Sequence, residues 1–105
     1  MSVYVDRAIC YPEEPTGYVG RPRHTAMWAH MIADTETELH SMAQRIGLRR
    51  EWFQGDHYDV TPSRRELAVR YGAVPLDRHP FITALRRFRQ SLNHPAIARG
   101  GENHQ

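Results

Sequence analysis

Residues 27–33 read Met-Trp-Ala-His-Met-Ile-Ala, a run that is apolar at every position except His30. Seven residues fall far short of the ~20 that span a bilayer. A short, near-continuous apolar run without helical periodicity is predicted to be a strand covered on both faces, the situation found in parallel sheets. Such a strand requires helices above and below it, so most of the remaining chain must supply them. The run therefore constrains the fold more than any other segment.

The flanking sequence meets that requirement. Asp34-Thr35-Glu36-Thr37-Glu38 opens a helix, and Thr35 and Glu38 stand at capping-box spacing. Leu39, Met42, Ala43 and Ile46 follow at i, i+3, i+4, i+7 and give it one buried stripe, which Gly47 closes. Thr61-Pro62 marks a second helix start, with proline where a missing N–H costs nothing, and that helix ends at Gly72. Pro80 begins a third helix, with Phe81, Ile82, Leu85, Phe88 and Leu92 on its apolar side and Arg86, Arg87 and Arg89 opposite. Residues 2–6 read as a first strand, Trp52-Phe53 as a short strand or an aromatic plug, and residues 73–76 as an edge strand because of Pro75. The expected fold is a small single-domain α/β layer over residues 1–93, with a short, largely parallel sheet flanked by about three helices. Pro12, Pro15, Gly17, Gly20 and Pro22 make residues 11–25 an irregular loop, and residues 94–105 read as a flexible tail.

Charge is distributed unevenly. All 14 basic side chains are arginine. Residues 1–63 carry six arginines against nine acids, whereas residues 64–99 carry eight arginines against Glu66 and Asp77. A basic C-terminal third suits a nucleotide or nucleic-acid partner. With no secretion signal visible at Met1 and a single cysteine, Cys10, the expected setting is cytoplasmic, without membrane attachment.

In open α/β sheets, ligands bind outside the carboxyl ends of parallel strands. Asp6 and Asp34 are placed there, as is the segment Gln54-Gly55-Asp56-His57-Tyr58-Asp59. Thr61, Ser63, Arg64 and Arg65 form the next helix start, where free N–H groups favour anions. Strand alternation puts His57 and Asp59 on one side, an arrangement suited to a metal or to a carboxylate-oriented histidine base. His30 and His40 are further candidate ligand-binding residues. Phosphate loops, dinucleotide fingerprints, the Gly-x-Ser-x-Gly elbow and paired-cysteine zinc spacing are all missing. That argues against Walker-type nucleotide hydrolases, Rossmann oxidoreductases and α/β-hydrolases.

Val3-Tyr4-Val5-Asp6, Trp28-x-His30-x-x-Ala33-Asp34, Glu38-Leu39-His40, Gly47, Trp52-Phe53-Gln54, His57-Tyr58-Asp59, Arg65 and Gly72-Ala73 occur in this order. The combination resembles a bacterial and phage family, domain of unknown function 4031, over roughly residues 3–76. The resemblance implies a cytoplasmic protein and draws attention to Asp6, His30, Asp34, His40, Gln54, His57 and Asp59, but it supplies no activity.

Three functions follow as expectations. The first is binding of a phosphate-bearing ligand through His30, His40, Gln54, Ser63, Arg64 and Arg65. In the second, a phosphoesterase-like hydrolase, Asp6, Asp34 and Asp59 would hold magnesium or manganese and His57 would be the general base or a further ligand. The third is a protein–protein adaptor, self-association included, using the Phe88 helix and the aromatic residues Tyr11 and Tyr18.

Overall fold

A computed structural model of the chain describes residues 2–10 and 27–93. The expectations for loop 11–25 and tail 94–105 lie outside the described residues. Among the described residues there are five strands: β1 (Val3–Val5), β2 (Ile9–Cys10), β3 (Met27–Ala33), β4 (Tyr58–Val60) and β5 (Val74–Pro75). Three α-helices accompany them: α1 (Glu36–Arg45), α2 (Pro62–Arg70) and α3 (Arg78–Asn93). The predicted apolar run coincides with β3, which is the hub of the sheet. β1 and β2 pair with it, β4 pairs with it as well, and β5 lies outside β1.

The sheet is mixed and mostly antiparallel, which corrects the expectation of a largely parallel one. β1, β2 and β4 all run antiparallel to β3, and among the described strands the β1–β5 pair alone is parallel. The physical reason is that an apolar run reports coverage on both faces, whatever direction the neighbouring strands take. Here α1 and α2 cover one face and α3 the other. Alternation along β3 sends Ala29, Met31 and Ala33 toward the first face, where the buried Leu39, Met42, Ala43, Ile46 and Ala68 complete the core with Val3, Val5, Tyr58 and Val60. Trp28, His30 and Ile32 take the opposite face, where the His30 ring meets Phe81 of α3 at 6.3 Å between centroids.

The helix boundaries follow local chemistry. Thr35 caps α1, its hydroxyl oxygen accepting from the Glu38 N–H. The same hydroxyl donates to the Glu38 carboxylate, so the capping box closes through the two side chains. Gly47 adopts φ +87° and turns the chain out of the helix. Thr61 caps α2 by accepting from the Arg64 N–H, with Pro62 in the first turn. α3 starts at Arg78, two residues before the expected Pro80. Its buried contacts are Phe81, Ala84 and Phe88, while Ile82, expected in the apolar stripe, is 36% exposed.

Trp52 and Phe53 are not a strand. Arg50–Trp52 is a single 3₁₀ turn, and the strand that follows β3 is β4, Tyr58–Val60, inside the polar segment. β5 lies at the sheet edge, as Pro75 required. Among the described residues, no helix is long and apolar enough to cross a membrane.

Candidate functional site

The site starts from a local irregularity. β1 and β2 both run along β3, but the pairing breaks between Val5↔Met31 and Ile9↔Trp28. Asp6 sits at the break. Its N–H donates to the His30 carbonyl at 3.2 Å, and its carboxylate Oδ1 accepts the His30 backbone N–H at 2.6 Å. A side-chain oxygen thus replaces the strand carbonyl that would otherwise satisfy this buried N–H. The second carboxylate oxygen, Oδ2, lies 2.7 Å from Nδ1 of the His30 ring. Arg65 of α2 anchors the same point, its Nε donating to the Asp6 carbonyl at 2.6 Å.

Across the other edge of β3, His30 stands directly opposite Asp59 of β4. The His30 backbone groups are turned toward Asp6, so His30 and Asp59 form the closer, non-hydrogen-bonded type of antiparallel pair. His30 Nε2 and Asp59 Oδ1 are 4.0 Å apart. The segment before β4 folds back on itself, with Gln54 N–H donating to the His57 carbonyl at 2.8 Å and Gly55 at φ +96°. Alternation then sends His57 and Asp59 to one face and Tyr58 to the other, as the sequence indicated. His57 Nε2 lies 3.4 Å from Asp59 Oδ1, and its Nδ1 lies 2.6 Å from Asp56 Oδ1. Arg89 of α3 completes the chain, its Nε donating to Asp56 Oδ2 at 2.6 Å.

One ligand atom each from His30, His57 and Asp59 thus falls within 4.8 Å of the other two. Both imidazoles share one logic: Nδ1 faces a carboxylate (Asp6 or Asp56) and Nε2 faces Asp59. An ionised carboxylate only accepts, so each Nδ1 carries the proton and each Nε2 presents its lone pair when the ring is neutral. Carboxylates behind histidines in this way are the usual outer partners of metal-bound imidazoles. Two imidazoles and one carboxylate match the three-ligand sets of catalytic zinc and non-haem iron centres. The side chains of His30, His57 and Asp59 are 32%, 24% and 9% exposed, so the cluster is enclosed yet reachable from solvent.

The electrostatics agree with this geometry. Burial alone would lower the His57 pKa, but its hydrogen bonds to Asp59 and Asp56, and their charges, outweigh burial and raise it. Burial would likewise raise Asp56, yet the hydrogen bonds from His57 and Arg89 prevail and hold its carboxyl below the usual range. The raised pKa favours a proton on His57 Nε2, the atom that faces Asp59.

The other sequence-derived candidates lie elsewhere. Asp34, at the far end of β3, accepts from the Ser2 N–H at 2.8 Å and from the Tyr4 hydroxyl at 3.0 Å. His40 lies on the α1 side of the sheet, between the Tyr58 hydroxyl at 2.8 Å and Glu36 at 3.0 Å. Ser63 Oγ is 3.3 Å from the Thr61 hydroxyl, and Arg64 Nε donates to the Ile46 carbonyl at 3.0 Å. Gln54 contributes its backbone to the turn that presents His57. A groove of about 430 Å³ is lined by Ser63, Arg64, Glu66 and Arg70, and another of about 350 Å³ by Ser2, Glu38, Arg45 and Tyr71. Neither includes the histidine cluster. Concavity and donor chemistry therefore point to different places, and donor chemistry is the more specific signal because three ligand types converge. Sequence reasoning gave no role to Asp56 or Arg89. Asp56 adjoins His57, which was a usable signal, whereas nothing in the sequence links Arg89 to position 56.

A family model described as a protein of unknown function, DUF4031, matches residues 18–88. That span contains His30, Asp56, His57 and Asp59; Asp6 precedes it and Arg89 directly follows it. Comparison with curated proteins gives no match, and neither does comparison with solved structures.

Proposed function

The chain belongs to the DUF4031 family, and within that family we propose that it is a divalent-metal-dependent hydrolase whose metal ligands are His30 Nε2, His57 Nε2 and Asp59 Oδ1. The observation that carries this reading is the doubled imidazole–carboxylate arrangement, in which Asp6 and Asp56 each fix one histidine with its Nε2 directed at Asp59. A core histidine needs one partner, and a second carboxylate on the far nitrogen of each ring is beyond what packing requires. Imidazole donors favour zinc or another late divalent transition metal over the magnesium expected from an all-aspartate set. Such a cation, held by His30, His57 and Asp59, would supply Lewis acidity and activate water for attack at neutral pH.

The protein's own residues carry the rest of the chemistry. Asp6 and Asp56 hold the two ring tautomers, and Arg89 neutralises Asp56 so that it does not compete for the cation. His57 is thereby a ligand, the second of the two roles that the sequence left open for it. The binding-module reading has less support, since no second observation marks a ligand at Ser63, Arg64 and Arg65, whose Oγ, Nε and Nε hold Thr61, the Ile46 carbonyl and the Asp6 carbonyl.

Titration of metal-stripped protein with Co²⁺ and Zn²⁺ tests the reading. Co²⁺ should give visible d–d absorption at one equivalent, displaced by Zn²⁺ and lost in both His30→Ala and His57→Ala. Asp34→Asn should leave the titration unchanged. Ester hydrolysis should appear with metal and vanish with chelator. A titration unaffected by both histidine substitutions removes the site.

A further inference from the structure

The substrate class is written on the helix beside the cluster. Arg78, Ile82, Arg86 and Arg89 follow one another at i+4, i+4 and i+3, so they form one continuous ridge of α3. All four are exposed. The ridge runs alongside the site, because Phe81 at one end abuts His30 and Arg89 at the other reaches Asp56. Among the described residues, Arg78 and Arg86 form no ion pair, although Arg7, Arg49, Arg50 and Arg70 all do. Two cations without partners thus flank a half-buried cluster of metal-ligating side chains.

We propose that the substrate is the phosphodiester backbone of a nucleic acid, laid along α3 and held by Arg78, Arg86 and Arg89, with one ester linkage brought to the His30–His57–Asp59 cluster. This rests on the metal-site reading above. Length supports a polymer over a small phosphate ester. From Arg78 to Arg89 the helix rises about 16 Å, on the order of five phosphate steps at duplex spacing. Guanidinium groups suit phosphate oxygens because their planar fork donates two parallel hydrogen bonds. An anionic membrane is a poorer match. The apolar side of α3 is spent on the sheet through Phe81, Ala84 and Phe88, which leaves no apolar face for insertion between lipids.

The reaction itself balances without a further reagent. Water adds its oxygen to phosphorus and gives up a proton to solvent, the P–O bond to one sugar oxygen breaks, and the leaving oxygen takes a proton from solvent. The products are one strand ending in a phosphate and one ending in a hydroxyl.

The test uses full-length protein, wild type and Arg78→Gln/Arg86→Gln, with fluorescein-labelled oligonucleotides of about 12 nucleotides, a length within known site sizes. DNA and RNA are compared as single strands and as duplexes, in anisotropy titrations over a series of salt concentrations. Metal affinity is measured in parallel by calorimetry. The wild type should bind with a slope of log K on log salt near −2 for a single strand, from three contacts at about −0.7 each. The double variant should lose about 1.4 of that slope and about tenfold in affinity, with unchanged metal affinity and helix content. The arm bound most tightly identifies the kind of strand, and gel analysis with metal should show its cleavage. Metal binding without oligonucleotide binding, or equal affinity in both proteins, overturns the substrate assignment and leaves the metal site standing. Oligonucleotide binding by a protein that takes no metal overturns the site, and the substrate with it. Capture by phosphatidylserine vesicles in preference to oligonucleotide also overturns the assignment.

Discussion

Asp6→Asn isolates the link between the strand edge and the site. The side chain keeps its shape, and its remaining carbonyl oxygen can still accept the His30 backbone N–H now bonded at 2.6 Å. The amide nitrogen then faces His30 Nδ1 in place of the oxygen at 2.7 Å. An amide donates there, so Nδ1 must give up its proton and accept. The proton moves to Nε2, the atom directed at Asp59, and the imidazole offers N–H where it should offer a lone pair. Loss of an outer carboxylate of this kind costs about 10- to 100-fold in metal affinity, or about 1.4 to 2.8 kcal/mol. The metal-free protein should change less. The backbone bond survives and one charge-assisted hydrogen bond becomes a neutral one, a loss of about 1 kcal/mol, each kcal/mol moving Tm by about 4–8 °C. Competition of wild type and variant against a chromogenic chelator gives the affinities, and melting in chelator gives the second quantity. A variant that melts lower but binds Zn²⁺ as tightly as wild type would refute the argument and confine Asp6 to propping the strand.

Three further outcomes follow from the packing. Phe88 is 1% exposed beneath α3, so Phe88→Ala should cost about 3–5 kcal/mol, seen as a large fall in the urea midpoint with little change in m-value. The Thr61 hydroxyl caps α2, and Thr61→Ala should lower stability by about 1 kcal/mol in the same assay. Burial raises the pKa of Tyr58, and burial together with Asp34 raises that of Tyr4. A raised folded-state pKa contributes stability that is complete below the unfolded tyrosine value of about 10 and fades as pH climbs through the folded value. Stability should therefore fall above about pH 10, and Tyr58→Phe should reduce that alkaline loss when melts are compared at pH values on either side.

What the sequence disclosed depended on whether the signal was local. α1 was legible because Thr35, Glu38, the Leu39–Met42–Ala43–Ile46 spacing and Gly47 all lie within one stretch of chain. Strand direction was not, because β3 shows the same apolar run whether its covering helices accompany parallel or antiparallel neighbours. Trp52 and Phe53 have strand-forming side chains, but β4 formed five residues later, where Tyr58 and Val60 could enter the core and Asp59 could join His30 and His57 on the opposite face. His57 and Asp59 were legible as a pair from alternation alone. His30 was conspicuous as the one polar residue of β3, but its partners required knowing that Asp6 flanks one edge of that strand and Asp59 the other. Asp34 follows the same strand, yet four residues of extended chain separate it from His30 by about 13 Å. Arg89 was hidden for the same reason, since α3 crosses the sheet only after the whole chain has folded.

The position of β3 has a kinetic consequence. Along its length it donates or accepts on both edges, and helices lie over both of its faces. Its amides can reach solvent only through openings that displace β1, β4 and a helix together, so they should be the slowest to exchange and report global unfolding. Local fluctuations that fray β5 at the sheet edge leave His30 where it is. Of the three proposed ligands, His30 therefore keeps time with the whole molecule. His57 and Asp59 enter from the short outer strand and its preceding turn, where opening is cheaper, and ion release would begin there.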